Sequence, residues 1–191
     1  MDVASVRKNC LKKRAELKSE IRLSESSSIA DRIREILREH DLECPVFCFY
    51  PLEDEPDIRD LYQELLKNDR KLFFPVSGKS ELDFYEVRSL DDFREGTFGV
   101  MEPSLRTVKF DRSDFRQAIC IVPGVCFDKN CNRIGFGKGY YDRFLSKFGS
   151  GMLKIGVCFR TCLSEELIPV FSHDIPMDIV VAGDSVFQRG D

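Results

Sequence analysis

Residues 118–145 constrain the fold more tightly than any other stretch. Ala118 to Pro123 is an apolar run of strand length, stopped by Pro123-Gly124. A short polar turn leads to Arg133-Ile134-Gly135-Phe136-Gly137-Lys138-Gly139, and a helical pattern begins at Tyr140. A buried strand that passes through a glycine-rich turn into a helix is a building unit of α/β sheets. The rest of the chain repeats the alternation. Strand patterns at 45–50, 71–76, 82–87, 153–158 and 179–182 alternate with helical spacing. Helices are expected over 5–22, from a cap at Ser24 to about His40, and over Asp57 to Asn68. The first would turn Leu11, Ala15, Leu17 and Ile21 to one side. The second carries Ile29, Ile33, Ile36 and Leu37, and the third Ile58, Leu61, Leu65 and Leu66. Ser89 should cap a short turn.

The expected fold is a single α/β domain over 1–191, its mostly parallel sheet covered by helices on both faces. In such sheets ligands sit beyond the carboxyl ends of the strands. Tyr50 to Glu55, Pro75 onward, the glycine loop and Phe159-Arg160 all follow predicted strands, so they should gather on one edge. Gly96 to Asp114 is a long irregular connection, a kind that is often functional.

The glycine loop has the composition of a magnesium–nucleotide site. Alternate glycines at 135, 137 and 139 let the backbone approach a ligand and present its N–H groups. The helix start adds unpaired donors and partial positive charge. Arg133, Lys138 and Arg143 supply cations, and Asp142 suits Mg²⁺ better than phosphate. It is neither a Rossmann fingerprint, since no acid ends the next strand, nor a Walker A loop, since no Gly-Lys-Ser/Thr follows. Of Tyr140 and Tyr141, adjacent on a helix, one should be core and one should face the site. On residue type alone Glu55 is a solvated acidic turn residue, and Asp174 and Asp178 are turn residues before they are metal ligands.

A formal charge of −4 argues against general nucleic-acid binding. Arg7, Lys8, Lys12, Lys13, Arg14, Lys18 and Arg22 make the N-terminal region locally basic. It lacks the apolar core of a signal peptide, although a basic amphipathic helix leaves a transit peptide open. No stretch is long and apolar enough to span a bilayer, and a cytoplasmic protein is expected. The cysteines form no Cys-x-x-Cys pair, and only His40 and His173 could complete a zinc site, so buried free thiols are expected. Cys126 and Cys131 flank the turn of the glycine loop and could be exposed and oxidisable, but nothing marks either as a nucleophile.

Pro123-Gly124-Val125-Cys126-Phe127-Asp128 followed by Arg133 to Asp142 resembles the signature of the 5-formyltetrahydrofolate cyclo-ligases, also called methenyltetrahydrofolate synthetases. The basic first helix, Tyr50 to Glu55, the Phe-Phe-Pro after a strand, Phe98 to Pro103 and His173-Asp174 occur in the family's order. The resemblance implies MgATP-dependent conversion of 5-formyltetrahydrofolate to 5,10-methenyltetrahydrofolate, with ADP and phosphate released. It implies that Arg133, Ile134, Gly135, Phe136, Gly137, Lys138, Gly139, Tyr140 and Tyr141 hold ATP. Arg133 and Lys138 would be the catalytic cations. Phe136, Gly137, Lys138, Gly139 and Tyr140 would also touch folate, as would Tyr50, Glu55 and Phe98. Asp142 and Asp174 would bind Mg²⁺, with Asp178 as fallback. The family also holds phosphates with a Lys and an Arg four residues apart on its first helix. Here Lys8 and Lys12 keep that spacing, whereas aligning Glu16-Leu17-Lys18 selects Arg14. Phe136 and Ile58 depart from residues common in the family. A folate- or nucleotide-binding protein of the same fold without turnover is the alternative. A phosphate-site enzyme acting on another N-formyl or amide compound is a third possibility. The small molecules are the expected partners of a monomer, with no nucleic acid or membrane.

Overall fold

A computed structural model describes residues 2–40, 44–96, 99–104, 108–111 and 115–190. Strands β1 (Val46–Phe47), β2 (Leu72–Ser77), β3 (Leu82–Val87), β6 (Ala118–Pro123), β9 (Met152–Cys158), β11 (Ile179–Ala182) and β12 (Ser185–Gln188) form one seven-stranded sheet. Its order is β12-β11-β9-β6-β1-β2-β3. The five central strands, β11 to β2, are parallel, and the antiparallel partners β12 and β3 close the two edges. A ribbon of β4 (Phe93–Glu95) and β5 (Met101–Pro103) occupies part of the expected irregular connection. The remaining strands, β7 (Cys126–Asp128), β8 (Arg133–Ile134) and β10 (Leu163–Ser164), make a small separate sheet.

Alternating strand residues divide the core in two. Phe47, Phe73, Cys120 and Val122 pack with α1 (Val3–Ala15) and α4 (Tyr140–Phe148) on one face. Val46, Leu72, Ile119 and Ile121 pack with α2 (Ser19–Glu39) and α3 (Arg59–Lys67) on the other. Period-two alternation with both faces apolar is what a sheet covered twice requires. Ile58 is fully buried in the α2/α3 core, which gives that departure a packing role.

Two expectations for the N-terminal region fail. The first helix ends at Ala15 and the second begins at Ser19, ahead of Ser24. Arg22 explains the break: Nη2 donates to the carbonyls of Arg14 at 2.9 Å and Ala15 at 3.1 Å, and Nε to that of Leu17 at 3.1 Å. These are carbonyls left over where a helix ends. The buried face is also different. Val6, Cys10 and Arg14 face inward, while Ala15 and Ile21 are exposed. An apolar count misses this face because one of its three buried residues is an arginine.

Candidate functional site

Beyond β6 the chain must turn sharply. A Cβ at Gly124 would lie 2.4 Å from the Phe127 ring, so only glycine fits there. Asp128, fully buried, then shapes the β7–β8 turn. Its Oδ1 accepts the N–H groups of Asn130 and Asn132, each at 3.0 Å, and Oδ2 accepts that of Ile168 at 3.0 Å. This turn delivers Arg133 to the loop.

Each alternate glycine lies against a different arginine. A Cβ at Gly135 would stand 2.8 Å from Arg133 Nη1, one at Gly137 3.4 Å from Arg7 Nη2, and one at Gly139 2.8 Å from Arg143 Nη1. Gly137 and Gly139 also need left-handed backbone, with φ of 93° and 63°. Arg7 Nε donates to the Gly135 carbonyl at 2.8 Å. Arg143 Nη2 donates to the Lys138 carbonyl at 2.8 Å, and its Nε to Ser80 at 2.7 Å. The Tyr140 hydroxyl donates to the Gly78 carbonyl at 3.0 Å. The loop is therefore clamped between α1 and the β2–β3 turn, and α4 starts directly behind it.

Arg133 is a fixed cation. Its side chain is 5% exposed, Nη2 pairs with Asp142 Oδ1 at 2.8 Å, and its guanidinium carbon lies 5.7 Å from the Tyr141 ring centroid. Its buried Nε has no hydrogen-bond partner among the described residues. Asp142 Oδ1 also accepts from Ile175 N–H at 3.3 Å. One residue earlier, Asp174 Oδ2 accepts from Phe171 N–H at 2.8 Å. Asp178 is held in the sheet: Oδ2 accepts from Lys154 N–H and pairs with its ammonium, both at 2.8 Å. Among the described residues no group of three or more His, Cys, Asp or Glu could hold a metal. Asp142 and Asp174, on adjoining segments, are the residues that could supply the one or two carboxylates a Mg²⁺ ion takes.

A second cluster follows β1. Arg14, 2% exposed, forks onto Asp54, with Nε to Oδ2 at 2.8 Å and Nη2 to Oδ1 at 2.9 Å. Its Nη1 is 3.7 Å from Glu55 Oε1, and its guanidinium carbon lies 5.4 Å from the ring centroid of the exposed Phe136. Glu55 is buried rather than solvated, its Oε2 accepting from Leu52 N–H at 3.0 Å. Desolvation pushes its carboxyl above the ordinary 4.5, against the pull of that N–H and of Arg14. The Tyr50 hydroxyl accepts from Arg59 at 3.1 Å, and its ring packs on Phe93 at 4.7 Å.

Of the tyrosine pair, Tyr140 reaches the β2–β3 turn, while burial pushes the Tyr141 phenol well above its ordinary 10.0. Lys138 and Lys8 are exposed, and exposed Lys12 pairs with Glu16 at 3.8 Å. Phe98 lies outside the described residues. Arg7 and Asp54 were not singled out from the sequence. The spacing of Arg7 and Arg14, two helical turns apart on the face of Cys10, is the signal that could have found them. Cys126 and Cys131 are fully buried rather than exposed: Cys126 lies in the core that α1 covers, and Cys131 Sγ donates to the Phe187 carbonyl at 3.5 Å. No helix of the described residues is long and apolar enough to cross a membrane.

The chain is similar in sequence and fold to known proteins. The model of the 5-formyltetrahydrofolate cyclo-ligase family matches residues 2–183. A probable 5-formyltetrahydrofolate cyclo-ligase of Schizosaccharomyces pombe is 30% identical over 148 residues, covering 71% of this chain and 70% of its own length. The mouse 5-formyltetrahydrofolate cyclo-ligase is 25% identical over 210 residues, covering 96% and 98%. The NMR structure of Aquifex aeolicus 5,10-methenyltetrahydrofolate synthetase superposes with a TM-score of 0.84 at 32% identity, covering 100% of this chain and 94% of that one. A 5,10-methenyltetrahydrofolate synthetase from Mycoplasma pneumoniae shares the fold, with a TM-score of 0.77 at 22% identity, covering 97% and 100%.

Proposed function

The chain belongs to the 5-formyltetrahydrofolate cyclo-ligase family, and on that premise we propose that it cyclises 5-formyltetrahydrofolate to 5,10-methenyltetrahydrofolate at the expense of ATP. The observation that carries this is the glycine loop with a guanidinium against each alternate glycine and a helix N-terminus behind it. Phosphoryl transfer is mainly positioning and charge stabilisation, and this loop is built for both.

A formamide carbonyl is a weak electrophile with a poor leaving group. Transfer of the γ-phosphoryl to the formyl oxygen gives an iminium phosphate. N10 then attacks the formyl carbon, and phosphate departs as the ring closes. Arg133 would meet the transferring charge without reorganising, because Asp142 already fixes it. Lys138, exposed, would follow the phosphate as a mobile point charge. Arg7 would face the phosphates from α1, where Lys8 and Lys12 point to solvent. Glu55 and Tyr50 would meet the pterin, whose N3–H and 2-amino group present a donor edge. Asp142 and Asp174 would hold Mg²⁺, which would supply charge neutralisation to the phosphates. The compartment we propose is the cytoplasm, with the protein acting as a monomer.

The test is a spectrophotometric assay of purified protein with 5-formyltetrahydrofolate and MgATP. The methenyl product carries a conjugated amidinium that absorbs to the red of the substrate. An ATP-dependent rise of that band is expected. A flat trace from folded protein that binds both ligands would establish the binding-only alternative, for which the ties of Lys12 to Glu16 and Arg14 to Asp54 would be the cause to examine.

A further inference from the structure

Phe136 stands in the middle of the glycine loop and is 51% exposed, yet the chemistry above gives it no task. Its ring is not loose. The guanidinium carbon of Arg14 lies over it, 5.4 Å from the ring centroid. Arg14 is itself buried and forked onto Asp54 at 2.8 and 2.9 Å, with Glu55 3.7 Å from Nη1. A guanidinium whose edges are held by carboxylates can still offer its face to a ring. Phe136 is therefore backed by a fixed cation and open elsewhere, and its neighbours Gly135 and Gly137 have no side chains to cover it. We propose that Phe136, backed by Arg14, is a stacking platform for the p-aminobenzoyl ring of the folate.

Position selects the ring that stacks. The guanidinium groups beside the three glycines belong to Arg7, Arg133 and Arg143, and these mark where phosphate would be met. Phe136 leans instead on Arg14, whose other contacts are Asp54 and Glu55 in the segment after β1. That segment is where the pterin would lie, so the aromatic surface faces the folate rather than adenine.

The chemistry of the substrate points to one part of it. In 5-formyltetrahydrofolate the p-aminobenzoyl ring is bonded to N10, and N10 must reach the formyl carbon on N5 while the glycine loop holds the phosphoryl group. A ring stacked on that loop keeps N10 beside its target, and orientation of this kind turns binding into rate. Aromatic pairs also gain from offset or edge contact beyond the area they bury. Phe136 departs from the residues common in the family, so this contact belongs to this chain. The proposal rests on the function proposed above and assigns a contact within its substrate site.

The experiment measures the affinity of the full chain for 5-formyltetrahydrofolate and, separately, for MgADP by titration calorimetry. It also follows the proton NMR shifts of the bound folate. Phe136→Ala should weaken the folate by about tenfold or more, the scale of a lost aromatic stack, and leave MgADP unchanged. Phe136→Tyr keeps a ring and should retain folate affinity. Phe136→Leu, which fills the space without a ring, is the second variant if Phe136→Ala does not fold. In the wild type the p-aminobenzoyl protons should move upfield on binding through the ring current of Phe136, and the variants without a ring should lose that shift. Unchanged folate affinity in those variants would overturn the proposal. So would a ring-current shift on the pterin protons alone, or a loss confined to MgADP, which would place adenine on the ring. A wild type that binds the folate without turning it over would remove the proposed function, and the affinities and shifts would still decide the stack. A wild type that binds no folate would overturn both.

Discussion

Arg133 enters the site already desolvated and already paired, so its charge is fixed before any ligand arrives. Arg133→Ala should lower turnover by on the order of 10²–10³ while leaving the fold intact. Steady-state kinetics with thermal melting will check both, and near-normal turnover would remove Arg133 from the mechanism. Arg133→Lys should recover only part of the loss, because a single ammonium cannot bridge Asp142 and the Pro123 carbonyl as a guanidinium does. Glu55 makes a prediction about pH. Its folded carboxyl titrates above the ordinary 4.5 because burial penalises the charge. In the window above 4.5 the folded state therefore holds more protons than the unfolded one, and stability falls as pH rises. Glu55→Gln removes that slope. Melting curves at several pH values should show the wild type losing ground to the variant as pH climbs through the window. Parallel curves would mean that Arg14 and Leu52 N–H outweigh burial.

The elements were legible in the sequence where hydrophobic period decides them. The strand at 82–87 matches β3 residue for residue, and Ser89 caps its turn through Asp91 N–H. The strand-to-glycine-loop-to-helix unit was equally plain. What escaped was short or polar. Two-residue strands such as β8 and β10 carry too few residues for a period to show. The end of α1 is set by Arg22, a surface residue to any hydropathy pattern. Glu55 looked solvated because the arginine that comes to it, Arg14, is 40 residues from Asp54 and leaves no local trace. Arg22→Ala should expose or orphan the carbonyls of Arg14, Ala15 and Leu17 and cost about 1 kcal/mol, the usual scale of a lost helix cap. Denaturant melts will measure it, and an unchanged midpoint would show that water replaces the guanidinium at no cost.

For the molecule as a whole, the proposed nucleotide site would couple ligand to fold. Nucleotide would bridge α1, the glycine loop and the β2–β3 turn, and these meet only in the folded state. MgATP at about a hundred times its dissociation constant should raise the melting temperature by roughly 5–10 °C. Scanning calorimetry with and without MgATP will test it, and no shift at saturating nucleotide would exclude a preformed site. The same contacts also set an order of assembly. Arg7 to Gly135 spans 128 residues, Arg143 to Ser80 spans 63 and Tyr140 to Gly78 spans 62. Closing such long loops costs entropy before the contact repays it. In refolding, helical signal should return ahead of nucleotide affinity. During synthesis α1 emerges long before Gly135, so its cationic inner face waits, solvated and unmatched, until the glycine loop follows it into the growing chain.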